Sequence, residues 1–83
     1  MTNLARNPKQ LGKIVRRARK HCGWNQTQLG DNAELRQETV SLIENGNPAT
    51  KLDTILAVIA ALNLEFQVMP RSKGDATTIE DLF

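Results

Sequence analysis

From Asn25 to Gly46 the chain reads NQTQLGDNAELRQETVSLIENG, a stretch rich in side-chain amides and poor in nucleophiles. Gln26, Gln28 and Gln37 each carry a group that can donate and accept hydrogen bonds at once. That chemistry suits the reading of a polar edge, such as that of an adenine, better than the breaking of a bond. No Gly-rich phosphate loop is present, and no His, Cys or carboxylate set has catalytic or metal-ligand spacing. Neither an enzyme nor a metal or other cofactor is therefore expected. Cys22 and His21 are single occurrences. Cys22 is expected to pack within a helix and His21 to sit near that helix's end.

Charge points to a polyanion. Residues 1–30 hold Arg6, Lys9, Lys13, Arg16, Arg17, Arg19 and Lys20 without one acid, while the last ten residues hold Asp75, Glu80 and Asp81 without a base. The net charge of +2 conceals this asymmetry. A basic half without acids fits nucleic acid as a partner; the competing reading is a solvated helix face. No apolar run reaches a membrane span, no secretory h-region opens the chain, and a lone cysteine fits a reducing compartment, so the expected location is the cytoplasm.

The elements that would position the amides follow from punctuation and period. Asn7-Pro8 reads as a cap and first helical residue, and Leu11, Ile14, Val15, Ala18 and Cys22 recur at helical spacing until Gly23. Asn25 and Gln28 form a capping box, with Trp24 and Leu29 at the positions of a hydrophobic staple. A helix of about eight residues is expected from Gln26. A second begins near Gln37, keeps Val40 and Ile43 inward, and stops at Asn45-Gly46. Thr50 and Asp53 predict another capping box, before an apolar stripe of Leu52, Ile55, Leu56, Ile59 and Leu62. The period then changes: Leu64, Phe66 and Val68 alternate with Glu65, Gln67 and Met69, the pattern of a strand. A strand alone in its chain is expected to pair with its copy across a two-fold axis, making Leu64, Phe66 and Val68 dimerisation residues. Eighty-three residues support one core. The expected division is a domain over 1–70 and a polar, flexible tail over 71–83 whose apolar residues, Ile79, Leu82 and Phe83, could anchor a partner.

Two short helices joined by a tight turn make a helix-turn-helix, whose second helix can present polar side chains to the major groove. Gln37, Glu38, Ser41 and Leu42 fall on or near its outer face, with Arg36 and Thr39 at its leading end. This stretch, with its Trp-Asn-Gln opening and Ile-Glu-Asn-Gly closing, resembles the lambda-repressor/Cro-like (XRE) helix-turn-helix family over about residues 9–64. The resemblance implies a mainly α fold of four to five helices. It also implies that Arg36, Gln37, Glu38 and Leu42 face the groove, that Gln26 contacts phosphate and braces the recognition helix, and that Asn45 lies beside the DNA backbone. Thr27, Arg16 and Lys20 are expected to join Gln26 and Asn45 in phosphate contact or bracing. Glu34 stands where the family has Gly, at a turn residue that often takes positive φ, so either Glu34 is strained or the turn differs.

The helix leading into LNLEFQVMPR and a short tail resembles, more narrowly, the HipB-type antitoxins of HipBA modules. That resemblance implies a homodimer, repression through an inverted-repeat operator of double-stranded DNA, an intersubunit two-stranded sheet, and a HipA-type Ser/Thr kinase toxin as partner. The alternatives are a phage or restriction–modification type repressor without a toxin, and a protein-interaction module with vestigial DNA binding.

Overall fold

The computed structural model describes residues 4–71, which form α1 (Pro8–His21), α2 (Gln26–Ala33), α3 (Gln37–Glu44) and α4 (Leu52–Ala61). The first two helices start as their caps predict. The Asn7 side chain accepts from the Gln10 amide, with Pro8 in the first turn. At α2 the capping box closes both ways, Gln28 N donating to Asn25 Oδ1 and Asn25 N to Gln28 Oε1, each at 2.8 Å. The box predicted at Thr50 does not form. Lys51 occupies the N-cap without a side-chain bond, and the Thr50 hydroxyl donates instead to the Asn47 carbonyl at 3.3 Å. The turn before α4 is already closed by the Ala49 amide donating to Asn47 Oδ1, which leaves Thr50 facing back into that turn.

All four helices end alike. In each, an amide just past the end donates five residues back, Trp24 to Arg19, Leu35 to Gly30, Asn47 to Leu42 and Leu64 to Ile59, around one residue with positive φ. Those residues are Gly23, Glu34, Gly46 and Asn63. Gly and Asn are the usual occupants; Glu34 is not, yet it adopts φ 59°, ψ 43° and keeps the turn between α2 and α3 in its tight form. Of the two expectations for that turn, strain is therefore realised and altered geometry is not. Glu34→Gly should relieve a left-handed penalty of about 1–2 kcal/mol, partly offset by the greater unfolded-state freedom of Gly. The expected net gain is about 0.5–1 kcal/mol, seen as a higher urea midpoint at constant slope. A lower midpoint would mean that the Glu34 side chain contributes a contact worth more than the strain.

Val15, Leu29, Val40, Ile43, Val58 and Leu62 make the core, with Leu11, Ala18, Trp24, Ala33, Leu35 and Ala61 packed around it. Leu29 and Trp24 thus both reach the core from opposite sides of the α2 cap, as the staple requires. α1 packs on α3, and α2 on both α3 and α4. The α1–α3 approach depends on Gly12, where a Cβ would lie 2.5 Å from the Ile43 carbonyl oxygen and 2.6 Å from that of Glu44. Two expectations are corrected here. Cys22 is exposed, because it caps α1 beyond the last packed turn. On α4 and at its C-cap, Ile59 and Leu62 are buried as the stripe predicts, but the fully buried residue is Val58, whereas Leu52 and Leu56 remain 60% and 41% exposed. That helix is apolar on most of its circumference, so periodicity alone does not select the side that meets α2.

Residues 64–71 have neither helix nor strand in the single chain. A strand is defined by a partner's hydrogen bonds, and no partner is available within the described residues. Leu64, Phe66, Val68 and Met69 are all exposed there, alongside Leu52 and Leu56 of α4. No described helix is long and apolar enough to cross a membrane.

Candidate nucleic-acid interface

α3 is fixed from within by Val40 and Ile43, at 0% and 3% exposure, which leaves its opposite face outward. Glu38, Leu42 and Asn45 lie on that outer face at helical spacing and are exposed. Gln37 is exposed at the leading end, Arg36 is the exposed N-cap, and Ser41 is half-buried at the border. Asn45 Nδ2 donates to Ser41 Oγ at 3.4 Å. Thr39 is half-buried and shares its side of α3 with Ile43.

A polar network sets the direction of the Gln26 and Gln37 amides. Arg19, inward on α1 and 9% exposed, donates through Nε to Glu44 Oε2 at 2.6 Å and through Nη2 to Glu44 Oε1 at 3.0 Å. Its Nη1 donates to the Trp24 carbonyl at 2.9 Å, which ties the α1–α2 turn to the end of α3. Hydrogen bonding to Glu44 raises the Arg19 pKa above its ordinary value, against an opposing desolvation effect, so the guanidinium stays charged. Gln26 Nε2 donates to Glu44 Oε1 at 3.2 Å, and Gln37 Nε2 donates to Gln26 Oε1. The order of donors is chemically forced. An ionised carboxylate only accepts, so Gln26 must turn its nitrogen to Glu44 and its oxygen to Gln37. Gln37 is left with its oxygen and one N–H, one acceptor and one donor, the pair that an adenine edge complements.

The start of α2 lies beside this network through Gln26. The capping box satisfies the amides of Asn25 and Gln28, and among the described residues nothing accepts from the Gln26 and Thr27 amides. Free amides at a helix N-terminus suit a phosphate. Arg16 and Lys20 are exposed on α1. Residues Ile79, Leu82 and Phe83 lie outside the described residues.

Arg19, Glu44 and Gly12 escaped the sequence reading. Their signals were present but weak: Arg19 stands four residues after Val15, on the apolar stripe, and Glu44 ends a helix whose neighbouring helix supplies only bases. A charge on a buried stripe asks for a buried partner.

Two short helices at a three-residue turn, the second presenting oriented polar groups, define a helix-turn-helix protein. A family model described as Helix-turn-helix matches residues 15–69. The Antitoxin HipB of Escherichia coli (strain K12) is 31% identical over 74 residues, covering 89% of this chain and 84% of that protein. Among solved structures, the HipB chain of a HipB–O4 20mer complex superposes with a TM-score of 0.77 at 26% identity, over 87% of this chain and 100% of that one. A chain of a HipA–HipB–O2–O3 complex gives 0.76 at 29% identity, over the same shares. The chain belongs to the XRE-type helix-turn-helix family and is HipB-like in sequence and fold.

Proposed function

We propose that the chain is a dimeric, sequence-specific DNA-binding repressor that also serves as the antitoxin of a HipBA-type module. Its α3 lies in the major groove of each half of an inverted-repeat operator. Gln37 reads an adenine edge, Arg36, Glu38, Ser41 and Leu42 complete the base-facing set, and Thr39, half-buried beside Ile43, lies at its border. Gln26, Thr27, Asn45, Arg16 and Lys20 hold phosphates. Leu64, Phe66 and Val68 join two copies through a two-stranded sheet. The second partner is a HipA-type kinase, a reading supported by the likeness to a HipB chain solved with HipA. The domain is residues 1–70, with 71–83 a separate tail.

The observation that carries the DNA reading is the relay from Arg19 through Glu44 and Gln26 to Gln37. A surface amide held in one orientation by a buried ion pair is preorganised, so little conformational entropy is lost when it binds. A solvated helix face needs no such relay. Gln37→Ala should cost about 1–3 kcal/mol on the operator selected by the wild-type chain and leave random duplex DNA nearly unaffected. Fluorescence anisotropy on both DNAs at one salt concentration measures this. Equal losses on the two would remove Gln37 from base reading.

A further inference from the structure

Four exposed bases of α1, two of them beyond the phosphate set proposed above, are arranged too regularly for scattered solubilising charges. Lys9, Lys13, Arg16 and Lys20 are spaced by four, three and four residues, which places them on one side of α1 in a single file. All four are exposed. Among the described residues no carboxylate is in ion-pair reach of any of them.

The file is continuous with the proposed groove face. Gly12, beside it on the helix surface, meets the Ile43 and Glu44 carbonyls. A Cβ on Gly46, one residue past Asn45, would lie 2.9 Å from Lys9 Cγ and 3.0 Å from Lys9 Cα. The lysine stem therefore runs against the chain where α3 ends and Asn45 stands. From Lys9 to Lys20 the helix rises about 16 Å, and one DNA strand carries a phosphate every ~3.4 Å of helix axis. The file can thus accompany several phosphates of one strand. Arg16 and Lys20 cover its half beside α2; Lys9 and Lys13 continue it beyond the two-helix motif.

We infer that Lys9 and Lys13 are further phosphate ligands, which extend the DNA contact of each protomer from the end of α3 along the outer side of α1. The inference rests on the DNA-binding reading above. It adds affinity without sequence preference, because phosphates are the same at every base pair. An acidic protein is a weaker fit to a file continuous with the base-reading helix.

The test is the salt dependence of binding by the full chain to labelled random-sequence duplex DNA, between about 50 and 200 mM salt. Each lost phosphate contact flattens the slope of log K against log salt by about 0.9, so Lys9→Gln/Lys13→Gln should flatten it by about 1.8 per bound protomer. Lys9→Arg/Lys13→Arg should keep the wild-type slope. A double Gln variant that folds normally and retains the wild-type slope overturns the inference while leaving DNA binding intact. Weaker folding with an unchanged slope also overturns it, since Lys9 then serves only the end of α3. Absence of any wild-type binding overturns the DNA reading itself.

Discussion

Replacing Glu44 with Ala should lower the unfolding free energy by about 3–5 kcal/mol, the cost of stranding one member of a buried ion pair. The Arg19 and Glu44 side chains are only 10% and 3% exposed, so water cannot replace the lost carboxylate without opening the α1–α3 seam. Gln26 loses its acceptor in the same stroke. In a domain this small, where total stability is on the order of 5–10 kcal/mol, such a loss approaches unfolding at 37 °C. Urea denaturation at fixed protein concentration measures it. The double variant Arg19→Met/Glu44→Leu separates packing from orientation. An apolar pair of similar volume should recover most of the stability, yet Gln26 and Gln37 would no longer be aligned, and discrimination between operator and random DNA should remain impaired. A single-variant loss below about 1 kcal/mol, the range of surface pairs, would show that the pair is in effect solvated.

Val68→Asp should dissociate the proposed dimer while leaving the protomer folded. Val68 is 90% exposed in the single chain, so a change there costs the monomer little. Phe66 is a poorer probe, because it also lines a small apolar hollow with Leu11, Ile43, Pro48 and Ile55 of its own chain. In the dimer each Val68 buried against the partner contributes about 1.5 kcal/mol or more, and there are two. Burying an unpaired carboxylate adds a further penalty. The dissociation constant should rise at least about 100-fold, equivalent to roughly 3 kcal/mol. Sedimentation across a dilution series, with circular dichroism to confirm helix content, reads this out. An unchanged dimer would place the interface elsewhere, with the exposed Leu52 and Leu56 of α4 as the next surface to test.

The helices were legible where a local rule decided the outcome. Asn7-Pro8, the Asn25–Gln28 box and the ends at Gly23 and Gly46 are local hydrogen-bond chemistry, and the chain follows them. Where tertiary context decides, the sequence was ambiguous. The Thr50 cap lost to a turn closed by Asn47, and the choice of Val58 over Leu56 as the buried residue depends on where α2 lies. The proposed strand depends on a second chain, so no property of the single chain could display it. Within the candidate site, the outward residues of α3 followed from period alone. The relay did not, because Arg19 and Glu44 are 25 residues apart in sequence and are joined only by the fold.

Base reading by α3 is tested most directly by selection of sites from a randomised duplex pool, followed by major-groove atom substitution in the site recovered. The expected site is an inverted repeat whose half-sites lie about one helical turn, roughly 34 Å, or a multiple of it apart. Replacing a half-site adenine with 7-deazaadenine removes one major-groove acceptor and should weaken wild-type binding, but should add little to the loss already suffered by Gln37→Ala. A pool that yields no common sequence, or a site indifferent to loss of the adenine N7, would contradict base reading by α3.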